Sequence, residues 1–164
     1  MAYIYGVIGA TADTAVTRTD NEGYAFALGD VAWGSDGSAW VYVQASGAIT
    51  GSGYSCVIDE DWQAAMATVT TTASAFGQLV GVPATDFADD DYGWLQVFGV
   101  CEVQVAASAA ANLTLNSTAT GGTLDDNDLS GSEEINGLIL TTARAASAGT
   151  APALLTWPTV GATI

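Results

Sequence analysis

Hydrophobic residues alternate with small or polar ones along most of this chain, at a period of two rather than 3.6. Tyr24, Phe26 and Leu28 alternate with Ala as far as Gly29-Asp30, the pattern of a half-buried strand. Ser35-Asp36-Gly37 follows. The Asp-Gly pair supplies the positive-φ position of a tight hairpin, so Trp40 to Val43 reads as the returning strand. Residues 54–58 make a third short strand, and residues 79–82 a fourth, stopped by Pro83. The longest run is residues 94–105. It sets Leu95, Val97, Gly99 and Cys101 on one side and Trp94, Gln96, Phe98, Val100 and Glu102 on the other. Both sides are mostly apolar, as expected of a central strand covered on both faces. Leu113 and Leu115 alternate with Thr and Asn, Gly121-Gly122 marks a turn, and residues 135–142 and 153–157 are the last strands, with Pro158 closing the second.

One segment departs from this period. Asp59-Glu60-Asp61 suits a helix N-terminus, where free amides favour negative charge, and Trp62, Ala65, Met66 and Val69 follow at helical spacing. The pattern predicts one short helix over residues 59–68, ended by the β-branched run Thr68 to Thr72. Composition supports the rest: Ala, Thr, Gly and Ser supply 80 of the 164 residues, whereas Glu, Lys, Arg and Gln supply 12. That leaves little material for the wet face of a long helix. The expected fold is therefore all-β, a compact β-sandwich or barrel-like domain over residues 24–164 with one short helix. Residues 1–23 are expected to form an extended N-terminal arm. An acidic turn followed by a Trp-led strand occurs twice, at residues 36–43 and 91–97, and two hairpins built by the same turn rules account for it without duplication.

Charge narrows the function. The chain carries 18 Asp and Glu against Arg18 and Arg144, with no Lys and no His, for a net charge of −16. Phosphate backbones and anionic membranes are bound through Lys and Arg, so no nucleic acid and no membrane partner is expected. Without His or Lys there is no imidazole base, Schiff-base lysine or histidine metal ligand, and no catalytic residue, metal or cofactor is assigned. The N-terminus lacks the basic region of a signal peptide and no apolar stretch reaches membrane-spanning length, which predicts a protein made in a cytoplasm. Cys56 and Cys101 permit one disulfide, but their apolar surroundings favour free thiols.

Some residues keep a chemical alternative open. Paired carboxylates alone serve a glycosidase, and Glu102, in an apolar strand, is the notable one. Asp126-Asn127-Asp128-Leu129-Ser130-Gly131 copies the start of a calcium loop, but Gly137 stands where its bidentate Glu belongs. Solvated acidic turns explain this stretch and the clusters at residues 59–61 and 89–91 equally well. Asn112-Leu-Thr and Asn116-Ser-Thr are formal glycosylation sequons, without meaning unless the chain is secreted. Five Trp and six Tyr exceed what one modest core needs, and some of them suit sugar stacking or a subunit interface.

Three stretches carry a family resemblance. Phe26-Ala-Leu-Gly-Asp-Val31, running into Ser35-Asp-Gly-Ser-Ala-Trp-Val-Tyr-Val-Gln-Ala-Ser-Gly-Ala-Ile49, resembles the opening hairpin of small structural proteins of tailed-bacteriophage heads. Gly77-Gln-Leu-Val-Gly-Val-Pro83 with Tyr92-Gly-Trp-Leu-Gln-Val-Phe-Gly-Val-Cys101 is similar to them, as are Leu138 to Arg144 and Gly149 to Ala153. These are capsid decoration, or cement, proteins. The resemblance implies a β domain on the exterior of the virion shell, commonly a homotrimer at three-fold positions, with the major capsid protein as partner. A sugar-binding or host-adhesion module is the alternative. The first 19 residues have no net charge, with Asp13 against Arg18, so this arm can approach another surface without repulsion. Tyr3, Ile4, Tyr5 and Arg18 are the expected capsid contacts, and Trp94, Gln96, Phe98 and Val100 the expected oligomer interface.

Overall fold

The computed structural model describes residues 26–51 and 53–164, together with the backbone of residues 4–5. The structure is 49% strand, and among the described residues its helical content is one short helix. The elements are β1 (Ile4–Tyr5), β2 (Val31–Gly34), β3 (Ala39–Ala45), β4 (Cys56–Ile58), β5 (Gln63–Met66), α1 (Val69–Thr72), β6 (Leu79–Pro83), β7 (Tyr92–Val105), β8 (Leu115–Ser117), β9 (Leu124–Asp125), β10 (Glu133–Leu140) and β11 (Gly149–Thr163). Among the described residues no helix is long and apolar enough to cross a membrane.

All strands belong to one sheet, whose pairings close into two rings sharing β7. The first ring runs β3, β5, β4, β6, β7 and back to β3, and the second runs β7, β11, β10, β8, β9 and back to β7. Closure removes most open edges. Each ring has its own interior. Ala39, Val41, Val43, Ile58, Leu95 and Val97 fill the first, while Val103, Val105, Leu115, Leu138, Leu140 and Leu155 fill the second. β4 and β6 are the wall between them. Cys56 and Ile58 face the first core and Val57 the second, and Val80 and Val82 of β6 join the second. A third cluster lies outside the first ring, where Trp40, Tyr42, Tyr92 and Trp94 pack with Phe26 and Leu28 over them.

The alternation predicted for residues 94–105 holds until a register shift. Trp40 pairs with Gln96 but Ala39 pairs with Phe98, so Val97 is an extra residue in β7. A bulge bends the strand and changes which side its later residues present. Gly99 follows at φ 95°, and a Cβ there would stand 3.1 Å from Ser38 Cα. The shift lets a single strand serve two rings with cores on opposite faces.

Three expectations are corrected. Residues 59–68 are not helical: Asp59 Oδ1 accepts from the backbone amides of Asp61 and Gln63 and Trp62 takes φ 61°, making a tight turn into β5, which pairs antiparallel with β4. The helix is the β-branched stretch that was expected to end it. Thr68 and Thr71 close a reciprocal capping box around α1, which offsets its weak propensity. The alternating Tyr24 to Leu28 stretch contributes no strand within its described part; Phe26 and Leu28 instead cover the aromatic cluster, and β2 is the outgoing arm of the hairpin. Pro158 does not end β11. It falls where the pairing jumps from Leu138↔Leu155 to Asn136↔Thr159, an irregularity that tolerates a missing amide donor.

Candidate functional site

Opposed residues in a ladder share a face, and here that rule assembles an exposed apolar row. Val100 of β7 is opposite Leu154 of β11, and Leu154 is opposite Ile139 of β10. Val100 is 63% exposed and Ile139 39%, with Leu154 half-buried between them. Next to Val100 along the strand, Phe98 packs edge-on against Trp33 of β2, ring centroids 5.9 Å apart, and Trp33 is itself 50% exposed. Because these side chains lie beyond the first ring and opposite the second core, the described residues leave them uncovered. Glu102, exposed and paired with Pro152, bounds the row on one side.

The four residues expected at an oligomer interface separate on this surface. Phe98 and Val100 belong to the row. Trp94 is 2% exposed and held by Phe26 and Tyr42 at 5.2 and 5.1 Å between centroids, so the cover inferred from its hydrophobicity comes from its own chain. Gln96 is buried too, and its amide donates to the carbonyls of Phe98 and Val100 at 3.0 and 3.2 Å, bracing the bulge. Trp33, Leu154 and Ile139 were not singled out by sequence, because only register brings three separate strands together. Of the expected capsid contacts, Tyr3 and Arg18 lie outside the described residues, as do the side chains of Ile4 and Tyr5. The backbone of Ile4 and Tyr5 pairs with Gly34 and Trp33 along the free edge of β2.

The alternative chemistries take definite positions. Glu102 lines a cleft of about 210 Å³ with Trp40, Gly53, Gln96 and Cys101, and it is solvent-exposed rather than sunk in an apolar strand. Cys56 and Cys101 are free thiols. Burial, with a smaller contribution from the charge of Glu102, pushes the Cys101 thiol up to about 12, and burial alone drives Cys56 up, so both remain protonated and unreactive near neutral pH. Trp40 Nε1 donates to Ser38 Oγ, which donates to Asp36 Oδ1. The Ser38 hydroxyl, with its amide, holds the Asp36 carboxyl below its usual range.

Asp126 accepts from the Ala110 amide, so the first position of the calcium-like loop is committed to holding a neighbouring turn. Among the described residues no three His, Cys, Asp or Glu side chains could hold a metal ion. Of the two sequons, Asn112 is exposed but Asn116 is buried, out of reach of a glycosylating enzyme. A second, more open groove of about 360 Å³ includes Trp62, Phe76, Asp59, Glu60 and Gln78; Phe76 is 78% exposed. No family model matches this chain, and no curated protein matches it in sequence.

Proposed function

We propose that this chain is a capsid decoration protein, binding the outside of a tailed-phage head and reinforcing the shell. The observation that carries the reading is the uncharged apolar row of Trp33, Phe98, Val100, Leu154 and Ile139 on a chain of net charge −16. An acidic surface resists non-specific association, and an exposed apolar patch within it favours docking to one protein surface. The resemblance of the hairpin and of the β6 and β7 segments to cement proteins supports the same reading. So does the absence of Lys and His, which suits a structural part outside a container of nucleic acid. The major capsid protein is the proposed partner, with copies of the chain associating as a homotrimer on the virion exterior.

The test is binding of purified protein to expanded empty heads of a tailed phage. Saturation at a fixed stoichiometry is expected. Val100→Asp should weaken binding at least tenfold while leaving the fold intact, because Val100 contributes to no core. Deleting residues 1–19 should weaken binding as well. Absence of binding by the parent protein would overturn the reading. A glycan array tests the adhesion alternative, which the groove of Trp62 and Phe76 beside two carboxylates and an amide favours.

A further inference from the structure

Asn136-Gly137 is the one Asn-Gly pair in the sequence; the other four Asn are followed by Glu22, Leu113, Ser117 and Asp128. It falls at the break in the β10–β11 ladder. Asn136 pairs with Thr159 and Leu138 with Leu155, so Gly137 has no counterpart in the register. On the other edge of β10, β8 reaches only Glu134 and Ile135. Gly137 takes φ 77°, and its carbonyl accepts from Thr156 Oγ1 at 3.1 Å. Asn136 is exposed. Its amide nitrogen lies over Gly161, in the space a Cβ there would fill, and no described group shares a hydrogen bond with its side chain. The carboxamide is thus free to turn about χ1 towards the next main-chain nitrogen.

We propose that Asn136 is a modification site, deamidated spontaneously in the folded chain. The main-chain nitrogen of Gly137 loses its proton to solvent base and attacks Asn136 Cγ. A carbon–nitrogen bond closes a five-membered succinimide, the bond from Cγ to Nδ2 breaks, and that nitrogen leaves as ammonia with a proton from solvent. Water then opens the ring at either carbonyl, giving isoaspartate or aspartate. In sum, an amide and water become a carboxylate and ammonia. Within a strand this reaction is slowed when a Cβ on the attacking residue crowds the ring, and when a continuous ladder holds the nitrogen away from Cγ. Glycine removes the first obstacle, and the skipped register relaxes the second. The other described Asn keep at least one. Asn116 is buried, Asn127 Nδ2 is held by Asp125 at 3.1 Å, and Asn112 precedes the bulky Leu113. Position gives the modification a consequence. Ile135, Leu138 and Leu140 enter the second core, so Asn136 lies outward with Ile139, the end of the apolar row. Deamidation sets a negative charge on that face. Loss of docking with age rests on the decoration reading; the modification itself does not.

The test holds the whole folded chain for days in mildly alkaline buffer, beside a sample unfolded in urea, and then cuts both at Glu under mildly acidic conditions that add no deamidation. Asn136 is the only Asn or Gln beyond Glu134, so the mass of fragment 135–164 reports this residue alone. In the folded protein the fragment should gain the mass of amide-to-acid conversion at a rate within a few-fold of that in urea. It should split into isoaspartyl and aspartyl forms, the first in excess. Fragments carrying Asn112, Asn116 or Asn127 should convert several-fold more slowly. Asn136→Gln should hold fragment 135–164 at its original mass while leaving the circular dichroism unchanged. If the parent fragment converts in urea but not in the folded chain, the ladder protects Asn136 and the proposal fails. It fails also if the acidic forms of the aged protein trace to the other Asn residues.

Discussion

The two halves of β7 meet opposite fates. From Tyr92 to Val97 the strand is buried on both faces, by the first core on one side and by an aromatic layer with Phe26 and Leu28 on the other. From Phe98 onwards one face enters the second core through Val103 and Val105, and the other carries exposed Val100 and Glu102. Hydrophobicity hardly differs between Trp94 and Val100. What differs is whether another segment of the same chain arrives on that face, and the single bulge at Val97 decides it. An apolar residue in a central strand is thus evidence of a cover without saying whose.

Substitutions across this boundary should separate the halves. Trp94→Ala removes the centre of the aromatic layer and should cost ~3 to 5 kcal/mol, measured by urea denaturation. A loss comparable to that of a surface variant would show that the layer is not part of the folded core. Gly81→Ala probes the wall between the rings, since a Cβ there would stand 2.7 Å from Leu95 Cβ. Overpacking of this kind should cost ~1 to 3 kcal/mol; an unchanged midpoint would mean that the first core has room to spare. The smallest expected effect concerns Cys101, near the junction. Its thiol, held up at about 12 by burial and then by Glu102, binds a proton in the folded chain that the unfolded chain releases above its ordinary value. Folding stability should therefore decline as pH rises from about 8.5 towards 12. Both thiols should resist Ellman's reagent at neutral pH and react in urea; fast reaction of Cys101 in the native protein would mean that the second core does not seal its face of β7.

Much of this layout is legible locally. Asp36-Gly37 fixes the β2–β3 turn, the period of two marks β7, short apolar runs mark β6 and β10, and the shortage of Glu, Lys, Arg and Gln rules out long helices. The failures share one physical cause. Residues 59–68 have helical spacing, but the Asp59 carboxylate satisfies two amides of a turn and pairing with β4 supplies the remaining bonds. Pro158 looks like a stop until the interrupted register around Gly137 removes the need for its amide. The apolar row was half legible, through Phe98 and Val100, because alternation exposes one strand's face but never names the neighbour's. Asn116 was visible only as a sequon, since its hydrogen bonds go to Asn127 and Asp128 in the loop after β9, a closure that depends on the pairing of β8 with β9.

The two-ring closure also has a consequence for synthesis of the chain. β11 leaves the ribosome after every other described strand, yet it pairs with β7 from Val105 to Phe98 and with β10. Until Gly149–Thr163 has emerged, the second ring cannot shut, and that edge of β7 remains open to any passing strand. A nascent chain paused before residue 149 should be a substrate for chaperones, whereas one in which β11 has docked has that edge paired from Val105 to Phe98.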